Sequence, residues 1–383
     1  MENNISLLVA LKNNLDYSKH FYETTRKLYP EVEICFSSYD STDGTDEWLD
    51  SLSNDPFTKV FYSQEYGCFS DNYNKAAEIA TKEYIMYVHN DIVLTPNFLE
   101  IIESYANKNT IVSYCTIEPP IFSGHERPGK LIKDFGDSLD NFNIEGLYKF
   151  VNEKQNEFKN QTLEDISFFM CIPRETYLEI GGLDNLYNPM FCEDIDLCVR
   201  FKLLGLKFIM ALDAITYHFV SKTSRFSEEY KNRTAKIERD SNLNFIRKWG
   251  TYVKPIKELS PTKYNIGFVV KNCNSNVLEV LEPWCDNIYI EDSTLAITTQ
   301  YLDKEQQNTS YNLSERIKPF NSKKNNDIIV EFDAVDLSQQ SFNIIQQLSE
   351  IIKEDGEVGS FELDIFKLHI NDLKTENLIY NQK

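Results

Sequence analysis

The segment NISLLVALKNNLDYSKHFYETTRKLYPEVEICFSSYD, residues 4–40, contains an apolar run, an amphipathic stretch and a second apolar run. This pattern predicts a strand at Ile5–Ala10, a helix at Tyr17–Tyr29 and a strand at Glu31–Ser37. Two strands joined through a helix are typical of parallel neighbours in one sheet. The segment therefore predicts an α/β domain at the start of the chain.

The same alternation continues to residue 117. The next predicted elements are helix Thr45–Leu52, strand Lys59–Tyr62, helix Phe69–Thr81, strand Tyr84–His89, helix Phe98–Ala106 and strand Thr110–Ile117. We expect a largely parallel sheet with helices on both faces, and ligands bind such sheets at the carboxyl ends of the strands. The polar residues after the second and fourth strands are therefore the first candidates for a binding site.

Residues 118–165 interrupt this alternation with prolines, glycines and many charges, and we predict loops with little regular structure there. Their length makes them a candidate lid or an insertion that faces an acceptor. Regular structure then resumes, and the predicted elements are strand Ser167–Ile172, helix Glu175–Ile180, helix Glu193–Leu204, strand Ala214–His218 and a charged helix over about Glu228–Trp249.

The last third of the chain predicts a second, smaller α/β domain. Its predicted elements are strands Ile266–Val270, Asn287–Ile290 and Asp327–Phe332 and helix Ser341–Lys353. We therefore divide the chain into a domain over 1–250, a linker over 251–263 and a small domain over 264–383. No glycine-rich loop follows a strand of the small domain to cradle a cofactor. The sequence does not choose among three roles for this domain: docking to a partner, forming a homo-oligomer, or presenting the acceptor to the first domain.

Composition excludes some classes of function. A formal net charge of −21 over 383 residues argues against binding to nucleic acid. No apolar run approaches the 18 residues that would span a membrane, and no secretory leader is visible, so we expect a cytoplasmic protein. The eight cysteines form no Cys-x-x-Cys pair, and we expect reduced thiols and no zinc site.

Three polar clusters carry the candidate chemistry. The first is SSYDSTDGT, residues 37–45, where Ser38, Asp40 and Asp43 can hydrogen-bond a base or a ribose. The same residues also suit a plain turn into a capped helix. The second is His89-Asn90-Asp91 at the end of the fourth strand, where a carboxylate can hold a divalent cation beside the phosphates of a substrate.

The third cluster opens a helix with Glu193, Asp194 and Asp196. Negative charge at the start of a helix complements the helix dipole, but three acids within four positions are more than capping requires. His218 ends the next strand, where a lone histidine beside aromatic residues is also compatible with a structural role. These residues are candidates for a catalytic base and a metal ligand.

The segment GGLDNLYNPMFCEDIDLCVRFKLLGLKFIMALDAITYH, residues 181–218, resembles the late region of family 2 glycosyltransferases, which are inverting enzymes of the GT-A fold. Two glycines, an acidic pair that opens a helix, Asp-Leu-Cys and Arg, and a strand closed by Tyr-His carry the resemblance. SSYDSTDGT is similar to the Asp-rich turn of that family. NKAAEIATKEYIMYVHND, residues 74–91, is similar to the helix and strand that lead into its metal motif. The resemblance covers about residues 3–225.

The resemblance implies a role for each matching residue. Asp194 matches the general base, with Glu193 as a supporting residue, and Asp91 matches the last Asp of the metal motif. His218 matches a late histidine that completes the metal or diphosphate site. The residues implied to bind the donor are Ala10, Ser38, Asp40, Asp43, Asn74, His89 and Asn90.

The chain departs from the family pattern at two places. His89 stands where the family usually has the first Asp of its metal motif, which leaves fewer carboxylates for the cation. Ser38 stands where the family often has an Asp that reads the base, and Asp40 replaces a common Gly. Uracil, thymine and guanine therefore all stay open as the base of the donor.

The predicted function is an inverting, hexosyltransferase-type reaction. A sugar moves from a nucleotide-diphosphate donor to a hydroxyl of a glycan or a lipid-linked glycan, assisted by Mn²⁺ or Mg²⁺, with Asp194 as the general base. The alternative is a non-catalytic protein of the same fold that binds a nucleotide sugar or a glycan. A glycosidase is disfavoured, because hydrolases need two acids across one bond and have no use for a nucleotide pocket with a metal motif.

Overall fold

A computed structural model describes residues 4–121, 126–220, 230–291 and 295–381. Contacts between Cα atoms divide the chain into two compact units. The first unit comprises Met1–Met190, Arg200–Ala235 and Tyr380–Lys383, and the second comprises Phe191–Val199 and Lys236–Ile379. The sequence predicts different boundaries, with a first domain that ends at 250 and a second that begins at 264. That these two parts are independent domains stays a prediction.

Within the described residues, ten strands of the first unit form one sheet. They are β1 (Ile5–Leu11), β2 (Glu33–Tyr39), β3 (Thr58–Ser63), β4 (Tyr84–Val88), β5 (Ile92–Val93), β6 (Thr110–Glu118), β7 (Lys130–Ile132), β8 (Thr162–Leu163), β9 (Met170–Pro173) and β10 (Lys207–His218). The order is β3-β2-β1-β4-β9-β6-β10-β5, with β7 beside β6 and β8 beside β10. β1, β2 and β4 are buried over nearly their whole length and most of their residues are apolar, as expected for strands that are covered on both faces.

The direction of the strands decides where the site forms. β1 is parallel to β2 and β4, and β10 is parallel to β6. β9 runs antiparallel between β4 and β6, so two reversals bring the carboxyl ends of β4 and β10 to the same edge of the sheet. The short β5 pairs antiparallel with the end of β10. The prediction of a largely parallel sheet is confirmed.

Eight α-helices lie between residues 15 and 249 in the described part of the chain. They are α1 (Leu15–Leu28), α2 (Thr45–Ser51), α3 (Phe69–Ile79), α4 (Phe98–Tyr105), α5 (Ile144–Glu157), α6 (Arg174–Glu179), α7 (Glu193–Leu203) and α8 (Thr234–Trp249). The structure has α8 beginning at Thr234, whereas the sequence places its start at Glu228, outside the described residues. Among the described residues, none of the helices is both long enough and apolar enough to cross a membrane.

The prediction of irregular loops over 118–165 is wrong for much of this segment. It contains β7, α5 and β8, although residues 122–125 lie outside the described residues. Leu147 and Val151, four positions apart on α5, are buried in a cluster with Ile215 and Tyr217 of β10. Asn143 caps the helix, since its Oδ1 accepts a hydrogen bond from the Gly146 amide at 2.9 Å. The apolar spacing that predicts α5 was therefore present, but the prolines and charges around it obscured it.

The second unit contains a six-stranded sheet within its described residues. The strands are β11 (Ile266–Lys271), β12 (Asn287–Ile290), β13 (Ile317–Pro319), β14 (Ile328–Asp333), β15 (Gly359–Leu363) and β16 (Phe366–Ile370), in the order β13-β12-β11-β14-β16-β15. The helices are α9 (Ser275–Leu281), α10 (Leu295–Glu305), α11 (Leu313–Arg316) and α12 (Gln339–Asp355). The predicted α/β class, with a second and smaller α/β part toward the C-terminal end, is confirmed.

Candidate active site

A pocket lies at the carboxyl edge of the large sheet. Its lining includes five residues that the sequence marks as candidates: Ala10, His89, Asn90, Asp91 and His218. They meet because β1 ends at Leu11, β4 ends at Val88 and β10 ends at His218, and these ends share one edge of the sheet. All the lining residues belong to the first unit.

His89, Asp91 and His218 form a cluster with the spacing of a metal site. One ligand atom from each side chain lies within 4.8 Å of the other two. His218 Nε2 lies 3.4 Å from Asp91 Oδ1, and His89 Nδ1 lies 3.9 Å from the same oxygen. Only 2% of the Asp91 side chain is exposed. Two imidazoles and a buried carboxylate are a donor set that suits a divalent transition-metal ion.

Glu118 contacts His218 from the other side of its ring, and Lys130 in turn pairs with Glu118. His218 Nδ1 lies 3.3 Å from Glu118 Oε1, and Glu118 Oε2 forms an ion pair with Lys130 Nζ. Burial by itself lowers the pKa of His218, but Asp91 and Glu118 outweigh it and raise this pKa to about 9. A histidine fixed by a carboxylate on one nitrogen presents the other nitrogen in a set direction. The sequence analysis missed Glu118, which ends β6 and could have been found as the carboxylate after a buried strand.

His89 lies among aromatic rings. The ring centroids of Phe168 and Phe169 lie 5.0 Å from that of His89, and that of His218 lies 5.6 Å away. Burial lowers the pKa of His89 to about 4, although Asp91 acts in the opposite direction. The imidazole is therefore neutral near pH 7, which is the form that binds metals.

The acidic helix start lies in the second unit. α7 begins at Glu193, and Phe191 and Cys192 before it have left-handed backbone conformations, with φ values of 77° and 69°. Two consecutive non-glycine residues in this region are strained, and such strain is common at functional sites. Burial raises the pKa of Asp194 and, together with Asp194, that of Glu193.

Asp196 has a structural explanation. Its Oδ1 lies 2.8 Å from Lys248 Nζ and accepts a hydrogen bond of 2.8 Å from Trp249 Nε1. The side chain is fully buried. The third acid of the cluster thus joins α7 to α8, and Glu193 and Asp194 stay as candidates for chemistry.

Residues 6–179 match the family model described as Glycosyl transferase family 2. This segment belongs to that family. The match covers β1 to α6 and therefore includes the strands that bring Ala10, His89 and Asp91 to the pocket.

Individual proteins are similar to the chain over shorter or more divergent stretches. Rhamnosyltransferase WbbL of Escherichia coli (strain K12) is 24% identical over 159 residues, which are 40% of this chain and 59% of that protein. The solved mannosyltransferase PcManGT from Pyrobaculum calidifontis, in complex with GDP-Man and Mn²⁺, has a TM-score of 0.42 and 15% identity, and the match covers 63% of this chain and 62% of that chain. The solved structure of S. aureus TarS 1-349 has a TM-score of 0.41 and 13% identity, and the match covers 63% of this chain and 65% of that chain. Each match spans less than two thirds of the other protein.

The Asp-rich turn of the family 2 domain does not line the pocket. The Ser38 hydroxyl is buried and lies 2.9 Å from both Ser41 Oγ and Asp46 Oδ1. Asp43 Oδ2 accepts a hydrogen bond of 2.9 Å from the Leu15 amide at the start of α1. Asp40 pairs with Lys12 at 3.4 Å. A donor-binding role for Ser38, Asp40 and Asp43 stays a prediction, and all three residues have partners within the protein.

Asn74 lies in a different depression of the family 2 domain, beside Gly182. Its Nδ2 donates to the Leu183 carbonyl at 2.8 Å, and its Oδ1 accepts from the Leu183 amide at 2.8 Å.

Asn72, two residues earlier on α3, lines the pocket and donates to the Leu11 carbonyl at 3.3 Å. Asn90 also lines the pocket, and its Nδ2 donates to Ser18 Oγ at 3.0 Å. The geometry of α3 separates Asn72 from Asn74 by about 200°, so a motif alignment alone does not tell which one faces a ligand.

Lys12 is a pocket residue that the sequence analysis missed. It follows β1 directly, lines the pocket and lies with its Nζ 5.5 Å from the ring centroid of Tyr66. A cation at the carboxyl end of a parallel strand is suited to a phosphate ligand. Its position immediately after the first strand was the signal that could have identified it.

Proposed function

We propose that this chain is a metal-assisted, inverting glycosyltransferase that moves a sugar from a nucleoside diphosphate to a hydroxyl of a glycan or a lipid-linked glycan. The observation that carries the proposal is the convergence of His89, Asp91 and His218 in one pocket of a family 2 domain. The rhamnosyltransferase relative supports sugar transfer and leaves the sugar open.

The donor end of the reaction needs positive charge beside the diphosphate. The three clustered side chains fit a divalent cation, because one ligand atom from each lies within 4.8 Å of the other two. When bound, the cation would offset the negative charge that develops on the departing diphosphate. Lys12, which lines the same pocket, adds a second positive charge.

The acceptor end needs a base, and Asp194 is our assignment. Burial raises the pKa of Asp194, and a higher pKa makes its carboxylate a stronger base than an exposed aspartate. The acceptor oxygen forms a bond to the anomeric carbon while the bond from that carbon to the diphosphate oxygen breaks. The hydroxyl proton moves to Asp194, and the nucleoside diphosphate leaves with the bonding electrons. A single displacement of this kind inverts the anomeric configuration.

Replacing Asp194 with Asn tests the base directly. The amide keeps the shape of the side chain but cannot take a proton, so we expect turnover to fall about 10²–10⁴-fold. Donor affinity, measured by isothermal titration, stays close to that of the wild type. The matched control is Asp303→Asn, an exposed Asp of the same unit, which keeps full turnover. Wild-type turnover by Asp194→Asn would mean that the base is another residue.

A donor screen separates the proposal from a non-catalytic binding protein. UDP-, dTDP- and GDP-sugars, with a rhamnosyl donor among them, are incubated with the protein and Mn²⁺, and release of the nucleoside diphosphate is measured. A transferase hydrolyses its own donor slowly without an acceptor, and Asp91→Asn loses this activity. Binding of a donor with no hydrolysis and no transfer to any glycan acceptor would favour the non-catalytic alternative.

A further inference from the structure

Within the motif His89-Asn90-Asp91, the first position holds a histidine where the family pattern usually has an Asp. The cluster offers a cation two imidazole nitrogens, from His89 and His218, and one carboxylate, from Asp91. On the basis of the metal site in the proposed function, we propose that this ligand set selects transition-metal ions such as Mn²⁺ and Co²⁺ against Mg²⁺. His89 is the residue that sets the selectivity.

The chemistry of the ligands gives the reason. Mg²⁺ requires oxygen ligands in a near-ideal octahedron and gives up its water molecules reluctantly. Imidazole nitrogen binds first-row transition-metal ions well, and affinity rises from Mn²⁺ to Co²⁺ at a given site. A site in which two of the three protein ligands are nitrogens therefore favours Co²⁺ and Mn²⁺ over Mg²⁺. With an Asp in place of His89, two of the three ligands would be carboxylate oxygens, which Mg²⁺ accepts.

Glu118 does not supply the missing carboxylate. Its Oε1 lies 3.3 Å from His218 Nδ1, on the side of the ring opposite to the nitrogen that faces Asp91, and its Oε2 pairs with Lys130. Glu118 therefore orients a nitrogen ligand and adds no oxygen to the set. In the part of the chain that the structure describes, the group with metal-ligand spacing contains just the three side chains named above.

The surroundings of His89 keep its ring beside the cluster. Phe168 and Phe169 contact it with ring centroids at 5.0 Å, and Phe69 lies on a further side at 6.3 Å. His89 Nε2 is buried and lacks a hydrogen-bond partner within the described residues, so rotation of the ring gains no alternative partner there. Aromatic packing thus holds a nitrogen ligand near Asp91 before a cation arrives, which reduces the cost of ordering it on binding.

The test measures metal binding to the full chain without a nucleotide. Isothermal titration with Co²⁺, Mn²⁺ and Mg²⁺ gives the three affinities, and the visible absorption of bound Co²⁺ reports nitrogen ligands. We expect wild-type protein to bind Co²⁺ and Mn²⁺ on the order of 10²-fold more tightly than Mg²⁺. His89→Asp should bring Mg²⁺ to within about tenfold of Mn²⁺ and shift the Co²⁺ absorption bands.

Two further variants make the result decisive. His369→Asp, on β16 of the second unit, is the matched control and keeps the wild-type order of affinities. His89→Asn replaces the nitrogen with a neutral amide oxygen and gives the same direction of change should His89→Asp fold poorly by circular dichroism. Similar affinities for Mg²⁺ and Mn²⁺ in wild-type protein, or wild-type selectivity in both His89 variants, would overturn the inference.

The same titrations separate this inference from the proposed function. Asp91→Asn removes the carboxylate that the proposed metal site needs, so all three ions should lose affinity. Metal binding that depends on Asp91 but shows no preference refutes only the selectivity. Metal binding that Asp91→Asn leaves intact, or no binding by the wild type, refutes the metal site of the proposed function together with this inference.

Discussion

At the scale of single residues, the contact between Glu118 and His218 determines how a cation would be held. With the Nδ1 proton of His218 directed at Glu118 Oε1, 3.3 Å away, Nε2 is left on the side of Asp91. Carboxylates that orient a ligating histidine also increase its basicity, and their loss weakens metal binding. We therefore expect Glu118 to affect metal affinity although it is not itself a metal ligand.

We predict that Glu118→Gln lowers the affinity for Mn²⁺ by about 10–100-fold, because the amide keeps the size of the side chain but loses its charge. Isothermal titration measures the affinity, and far-UV circular dichroism checks that the fold is kept. Glu145→Gln, an exposed substitution on α5, is the control. An unchanged affinity in Glu118→Gln would show that His218 needs no carboxylate behind it.

At the scale of elements, buried ion pairs connect the helices of the second unit. Glu282, in the 3-10 turn after α9, contacts Arg247 of α8 at 2.8 Å and Arg316 of α11 at 2.6 Å. Tyr301 of α10 donates a hydrogen bond of 2.8 Å to the same carboxylate. These side chains are buried, so removing one charge leaves others without compensation in a region of low dielectric constant.

Glu282→Gln should therefore lower the free energy of unfolding by about 3–5 kcal/mol. Burial by itself raises the pKa of Glu282, but Arg316 and Arg247 outweigh it and lower this pKa below its ordinary value. The stabilisation is therefore complete above the pKa of an unfolded glutamate, about 4.3, and is lost as the pH falls through the lower folded value. Urea unfolding at pH 7 and at acid pH measures both effects, and the difference between variant and wild type should shrink in acid. A change under 1 kcal/mol at pH 7 would contradict the assignment.

The start of α7 shows how far an element can be predicted. Three acids within four positions indicate more than capping, and the sequence identifies all three. It does not distinguish Asp196 from Asp194, because Lys248 and Trp249, the partners of Asp196, lie about 50 residues away in sequence. Tertiary contacts alone reveal that Asp196 serves the packing of α7 against α8.

At the scale of the whole molecule, ligand binding should appear as thermal stability. Each unit has a hydrophobic core of its own residues, and the pocket lies in the first unit. A ligand that binds the folded form alone stabilises it by about 2.7 kcal/mol at a concentration of 100 times its Kd. We predict that Mn²⁺ with UDP, dTDP or GDP raises the Tm, and that Asp91→Asn abolishes the increase due to Mn²⁺. A Tm that rises equally in Asp91→Asn would show that the ion binds elsewhere.

Local sequence patterns were enough to predict the alternation of strands and helices, the resemblance to a glycosyltransferase family and five residues that line the candidate site, namely Ala10, His89, Asn90, Asp91 and His218. These are local properties, because periodicity and the residues after a strand depend on neighbours in sequence. The tertiary structure decided which candidates meet. It added Lys12, Asn72 and Glu118 to the surroundings of the site, gave Asn74 and Asp196 structural partners and revealed α5. Pairing in a sheet joins residues 100 positions apart, as Glu118 and His218 show, and no local pattern contains that information.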